Sequence, residues 1–118
     1  MIKFICYPRC STCIKVRNYL DSLNIKYIER NIKEDKLNYD ELKEIYLKSN
    51  IPLKNFFNVS GLVYKELNLK DKISSMDEDT MLNLLSSNGM LVKRPIIVDD
   101  EFVLVGAKIS ELDKYFKK

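Results

Sequence analysis

The chain opens on a short apolar run in which Ile2 and Phe4 alternate with Lys3, so residues 2–6 read as a β-strand. Tyr7-Pro8-Arg9-Cys10 is a turn, and beyond it the period changes. Cys13, Val16, Leu20 and Leu23 fall on one face of a helix starting at Ser11, with Lys15, Arg17, Asn18 and Asp21 opposite. β-Branched and aromatic residues between Ile25 and Ile32 predict a second strand. Strand, helix and strand in about thirty residues make a βαβ unit with parallel strands and a right-handed crossover.

The middle of the chain takes a helical period. Asn38-Tyr39-Asp40-Glu41 has the form of a capping box ahead of Leu42, Ile45 and Tyr46, and Ile51-Pro52 ends that helix. Leu53 to Phe57 reads as a short helical turn and Gly61 to Leu69 as a further helix. Ser75-x-x-Glu78 opens another, carrying Met81, Leu82 and Leu85, and Asn88-Gly89 closes it. Strands return late: Pro95–Val98 and Phe102–Val105 flank Asp99-Asp100-Glu101 as a hairpin. Ser110 caps a last helix with Leu112, Tyr115 and Phe116 facing inward; Phe56, Phe57, Tyr39 and Tyr46 also read as core. The order β-α-β, helical block, β-β-α is that of an α/β, thioredoxin-like domain. It predicts one domain over 1–118, with a mixed four-stranded sheet and a helical insertion at about 38–89.

Composition narrows the chemistry. At 118 residues, 46% hydrophobic and 31% charged, the chain can bury roughly two-thirds of its unfolded surface without a staple. Its net charge of +3, with lysines interleaved among acids, gives no phosphate-tracking stripe, so no direct nucleic-acid contact is expected. There is no histidine, which removes histidine-based triads, proton shuttles and the usual zinc sites. No apolar run reaches membrane length and the start lacks a signal peptide, which predicts a cytoplasmic protein whose thiols are kept reduced.

All three cysteines lie in Cys6-Tyr7-Pro8-Arg9-Cys10-Ser11-Thr12-Cys13. Three thiolates are one ligand short of a structural zinc site, and the chain is too small for the barrel that holds three-cysteine clusters, so no metal is expected. Cys10-Ser11-Thr12-Cys13 is a C-x-x-C pair between a strand and a helix. Unpaired amide hydrogens and the helix dipole there favour a thiolate at Cys10, with Arg9 adding positive charge. Cys13, one turn on, can reach back, so Cys10 is the attacking thiolate and Cys13 the resolving thiol of a redox-active pair. Cys6 points inward with Ile2 and Phe4, either as a small buried hydrophobe or as a second resolving thiol. In this layout Arg94-Pro95 lies across from the C-x-x-C turn. Pro95 is expected to be a cis-proline exposing backbone to a substrate, and Arg94 either projects toward Cys10 to grip an anion or stabilise the thiolate, or is a surface charge or salt-bridge partner.

Four stretches then carry a resemblance: Tyr7-Pro8-x-Cys10-Ser11-Thr12-Cys13; Phe56-Phe57-Asn58-x-Ser60-Gly61; Tyr64-x-x-Leu67-x-Leu69-x-Asp71-Lys72; and Asn88-Gly89-Met90-Leu91-x-Lys93-Arg94-Pro95-Ile96. Together they resemble the arsenate reductase (ArsC)/Spx-like family of thioredoxin-fold proteins over almost the whole chain. The resemblance implies a thiol-dependent oxidoreductase with Cys10, Cys13 and Arg94 catalytic and Arg9, Ser11, Thr12 and Pro95 at the substrate. No bound cofactor is implied, and electrons would come from thioredoxin or from glutathione with glutaredoxin. The glutathione-linked arsenate reductases use three arginines, of which one matches Arg94. The other two fall near Asn58 and Gly106, and a histidine of theirs is Cys6 here. The Spx-like members imply an alternative, a redox-sensing regulator that binds the C-terminal domain of the RNA polymerase alpha subunit. The glycine those regulators use has no counterpart in Ser49-Asn50-Ile51-Pro52-Leu53.

Overall fold

The computed structural model describes residues 1–117. Two compact units emerge: residues 1–31 with 94–118, and residues 32–93. The first holds strands β1 (Ile2–Cys6), β2 (Tyr27–Asn31), β3 (Ile96–Val98) and β4 (Val103–Val105) with helices α1 (Ser11–Ser22) and α5 (Ile109–Phe116). The sheet order is β2-β1-β3-β4; β2 runs parallel to β1, and the β3–β4 hairpin runs antiparallel. The mixed four-stranded α/β architecture expected from the element order is therefore present.

Alternation along β1 sends Ile2, Phe4 and Cys6 to the face covered by α1, where they join Cys13, Val16, Tyr19 and Leu20 in one core with Ile97, Phe102, Leu104 and Leu112. Helix α1 ends in a Schellman motif. Asn24 takes the left-handed conformation, its amide bonds the Asp21 carbonyl, and the Ile25 amide bonds Leu20 at 3.0 Å. Ile25 thus closes the helix, and the second strand starts at Tyr27 rather than at Ile25. In α5 only Leu112 is fully buried. Phe116 is half-buried and Tyr115 is 40% exposed, stacked on Phe102 at 3.9 Å instead of facing fully inward. That helix starts at Ile109, not after a Ser110 cap, because the Glu111 carboxylate accepts the Lys108 amide hydrogen at 3.1 Å.

The second unit carries α2 (Tyr39–Ser49), α3 (Leu62–Glu66) and α4 (Glu78–Ser87), with short 3-10 turns between them. The Asn38 capping box forms as expected, and Asn50 ends α2 in the left-handed region ahead of Ile51-Pro52. Helix α4 is capped by Asp77, whose carboxylate accepts the Thr80 amide at 2.8 Å. Ser75 instead donates to the Lys72 carbonyl within a 3-10 turn, since an ionised Asp suits the helix dipole better than a neutral Ser. The Gly61 helix is cut to five residues and a separate 3-10 turn at Leu69–Asp71. Gly89 is not a left-handed cap. Its Cα lies so close to the Ile32 carbonyl that a Cβ would sit 1.8 Å from that oxygen. Phe56 and Phe57 are core, whereas Tyr39 and Tyr46 are half-buried and point their hydroxyls at Asp79 and Glu78. No helix among the described residues is long and apolar enough to cross a membrane.

Candidate thiol site

The site lies wholly in the first unit. A turn closed by the Cys10 amide on the Tyr7 carbonyl, at 2.9 Å, carries the chain from β1 into α1 and leaves Pro8 and Arg9 exposed. Cys10 is the N-cap, and its carbonyl accepts the first helical hydrogen bond from Ile14 at 3.0 Å. Three free thiols converge here, with Cys10 half-exposed and Cys6 and Cys13 fully buried.

Their surroundings differ. Burial pushes the Cys10 pKa up, but several influences outweigh it. These are the Cys13 amide hydrogen, the Cys13 thiol, the Thr12 amide hydrogen and the Arg94 charge, and the net shift is downward. Neither amide closes a tight cap hydrogen bond; they act as the oriented dipoles of the first turn. Cys13 moves the other way. Its thiol is held protonated by hydrogen bonding to Cys6 and by burial, although its sulfur also accepts the Tyr7 amide hydrogen at 3.4 Å. Cys6 is lowered chiefly by the Cys13 thiol, against its own burial and the Glu29 charge, with Arg17 helping.

Arg94 is half-buried, with its guanidinium carbon 5.4 Å from the Tyr7 ring centroid, and the Arg94–Pro95 peptide is cis. Pro95 is buried, and its carbonyl accepts the Ala107 amide hydrogen at 3.1 Å. Ser11 and Thr12 are exposed on the first turn of α1. The two expected arginines therefore separate: Arg94 acts on Cys10 electrostatically, while Arg9 sits exposed on the turn.

One cluster was not legible from hydropathy. Arg17, read as part of the solvent face of α1, clamps Glu29 through Nε–Oε1 at 2.8 Å and Nη2–Oε2 at 2.9 Å. Its Nη2 also lies 3.5 Å from Cys6 Sγ, and its guanidinium covers the Phe4 ring at 5.8 Å. A signal existed: Cys10, Cys13 and Arg17 are spaced i, i+3 and i+7 on one helical stripe. Glu29 is harder to find, because β2 turns Glu29 toward α1 and leaves Ile28 56% exposed.

The ArsC family model matches residues 6–115. This chain belongs to the ArsC family. An ArsC family related protein from Bacteroides fragilis has a solved structure that superposes with a TM-score of 0.92 at 47% identity, over 96% of this chain and 95% of that one. A "possible arsenate reductase" from Streptococcus mutans UA159 superposes with a TM-score of 0.85 at 36% identity, over 96% and 98%. Among curated relatives, the uncharacterized protein YusI of Bacillus subtilis is 44% identical over 113 residues, 96% of each chain. The global transcriptional regulator Spx 1 of Oceanobacillus iheyensis is 29% identical over all 118 residues, covering 88% of its length. The fold is thioredoxin-like, as these ArsC-type neighbours are.

Proposed function

We propose that the protein is a thiol–disulfide oxidoreductase of the arsenate-reductase-like type, working in the cytoplasm with a thiol reductant. Cys10 attacks a disulfide or an oxyanion, Cys13 resolves the resulting adduct, and Arg94 holds negative charge at the entrance. The observation that carries this reading is the split between the two cysteines. Cys10 is half-exposed and favoured as an anion, while Cys13, one turn away, is buried and held as a thiol. An exposed nucleophile beside a protected partner is what sequential thiol exchange requires. Arg9, Ser11 and Thr12 line the exposed approach to Cys10 and contact the substrate from the helix start. Pro95 fixes the chain beside the site and, through its Ala107 hydrogen bond, the start of the hairpin.

Turnover of arsenate and of small disulfides, coupled either to thioredoxin or to glutathione with glutaredoxin, tests the reading. Cys10→Ser is expected to abolish turnover, and Cys13→Ser to stop at the mixed disulfide. No turnover with either substrate and either donor would sink it. A second reading draws on the Spx relative, which aligns along the whole chain. In that reading the Cys10–Cys13 disulfide switches binding to the C-terminal domain of the RNA polymerase alpha subunit. Capture of that domain by the oxidised but not the reduced protein would favour it.

A further inference from the structure

We propose that the second unit carries a binding site for a small organic anion, a phosphate or carboxylate head on a short apolar body, in the cavity lined by Val59, Tyr64, Lys65, Asn68 and Lys70. The inference goes beyond the thiol chemistry and does not depend on it.

The cavity has a volume of about 350 Å³, at the small end of the range for ligand sites. Local hydrogen bonds and packing hold its walls. The Asn58 amide donates to the Leu91 carbonyl at 2.7 Å, and the Gly61 amide donates to the Asn58 carbonyl at 3.1 Å, so the turn that carries Val59 is anchored at both ends. Asn68 takes the left-handed conformation at φ 52°, which turns the chain out of α3 and brings Lys70 to the same cavity as Lys65. Tyr64 is only 7% exposed, and its ring packs on Phe57 with centroids 6.2 Å apart.

The polar groups on these walls are unused by the fold. Among the described residues, the Tyr64 hydroxyl, the Lys65 and Lys70 ammonium groups and the Asn68 side-chain amide have no hydrogen-bond or ion-pair partner. No polar side-chain atom among them is sealed from solvent without a partner, so the hydroxyl of the otherwise buried Tyr64 stays accessible. Lys72 shows the contrast: its Nζ donates to the Leu67 carbonyl at 3.1 Å, and it does not line the cavity. Glu66 and Asp71 are close in sequence but do not line it either, so the wall carries two positive charges and no negative one. Two ammonium groups, a phenol and an amide are all able to donate, and a set of donors left over by the fold selects an anion. Lysine acts as a point charge and not as a planar fork, which suits a phosphate as well as a carboxylate. Val59, 58% exposed, and the Tyr64 ring give the body of the ligand an apolar wall.

Amide chemical shifts of the isotope-labelled, reduced full chain, titrated at matched ionic strength with phenyl phosphate and with phenylacetate, test the proposal. Either probe should move the amides of Val59, Tyr64, Lys65, Asn68 and Lys70 saturably in the millimolar range, as ligands this small allow, and the tighter one names the head group. Inorganic phosphate, which lacks the body, and benzyl alcohol, which lacks the charge, should both bind more weakly. Lys65→Gln and Lys70→Gln should each weaken binding roughly 2–5-fold, the size of an exposed charge pair. Tyr64→Phe, which keeps the ring, should weaken it roughly 10-fold, the size of a hydrogen bond to a charged partner. Both lysines are exposed, so their variants keep the test open if Tyr64→Phe folds poorly. The absence of saturable shifts at these residues would overturn the proposal, as would affinity unchanged in both lysine variants. Inorganic phosphate binding as tightly as phenyl phosphate would mean an adventitious ion only, and benzyl alcohol binding as tightly would mean an apolar hollow; each overturns it. Shifts confined to Cys10, Cys13 and Arg94 would assign the anion to the thiol site and overturn it equally.

Discussion

At Cys10 burial is outweighed by the first-turn amides, the Cys13 thiol and the charge of Arg94, and the thiol ionises below the ordinary range of a cysteine. Alkylation by iodoacetamide across a pH series should therefore show a midpoint below the about 8.5 of a free cysteine, and Arg94→Met should move it upward. An unmoved midpoint would mean that the guanidinium does not reach the sulfur. The same shift bears on stability. A group with a depressed folded-state pKa adds stability above the unfolded value and loses it as pH falls through the folded one. The reduced wild type should thus gain urea resistance relative to Cys10→Ser as pH rises toward 9.0. Cys13 has the opposite sign: it stays protonated past 9.0, so its contribution is full below that pH and lost above it. The C-x-x-C pair and its helix-start position were legible in the sequence, because three-residue spacing and a change of hydropathy period are local. Arg17 and Glu29 were not, because their pairing joins α1 to an edge strand twelve residues away.

Among the elements, two glycines make unlike demands. Gly89 is needed for close approach, since any Cβ would collide with the Ile32 carbonyl at 1.8 Å. Gly89→Ala should cost about 2–3 kcal/mol, the scale of overpacking where the backbone must give, measured by urea denaturation. Gly106 ends β4 at φ 63°, in the left-handed region. Gly106→Ala should cost about 1 kcal/mol by the same measurement. Helix starts show how locally the element boundaries are decided. Asp77 wins over Ser75, and the Glu111 bond to Lys108 sets the start of α5. Each follows from which side chain can satisfy an amide, a contest that hydropathy does not register.

For the molecule as a whole, the proposed thiol exchange carries a prediction about potential. If Cys10 and Cys13 form the proposed couple, stabilising the Cys10 thiolate stabilises its dithiol form and raises its reduction potential. Equilibration against glutathione buffers should give a potential that becomes more negative in Arg94→Met. A potential unchanged by that substitution would detach Arg94 from the couple. Membership of the ArsC family covers residues 6–115 and fits the sheet order β2-β1-β3-β4. The sequence by itself determined the element order, the parallel and antiparallel pairing and the placing of a cysteine pair at a helix start. Periodicity, caps and turn residues act over a few positions, and they agree with one another here. Only the tertiary structure decided that Glu29 rather than Ile28 faces α1, that Arg17 turns back over Phe4, and that its guanidinium reaches Cys6. Those three outcomes depend on which strand register and helix rotation bury the most apolar surface together. A one-residue slip of β2 would exchange every one of its faces, so this choice is made by the assembled sheet and not by the segment.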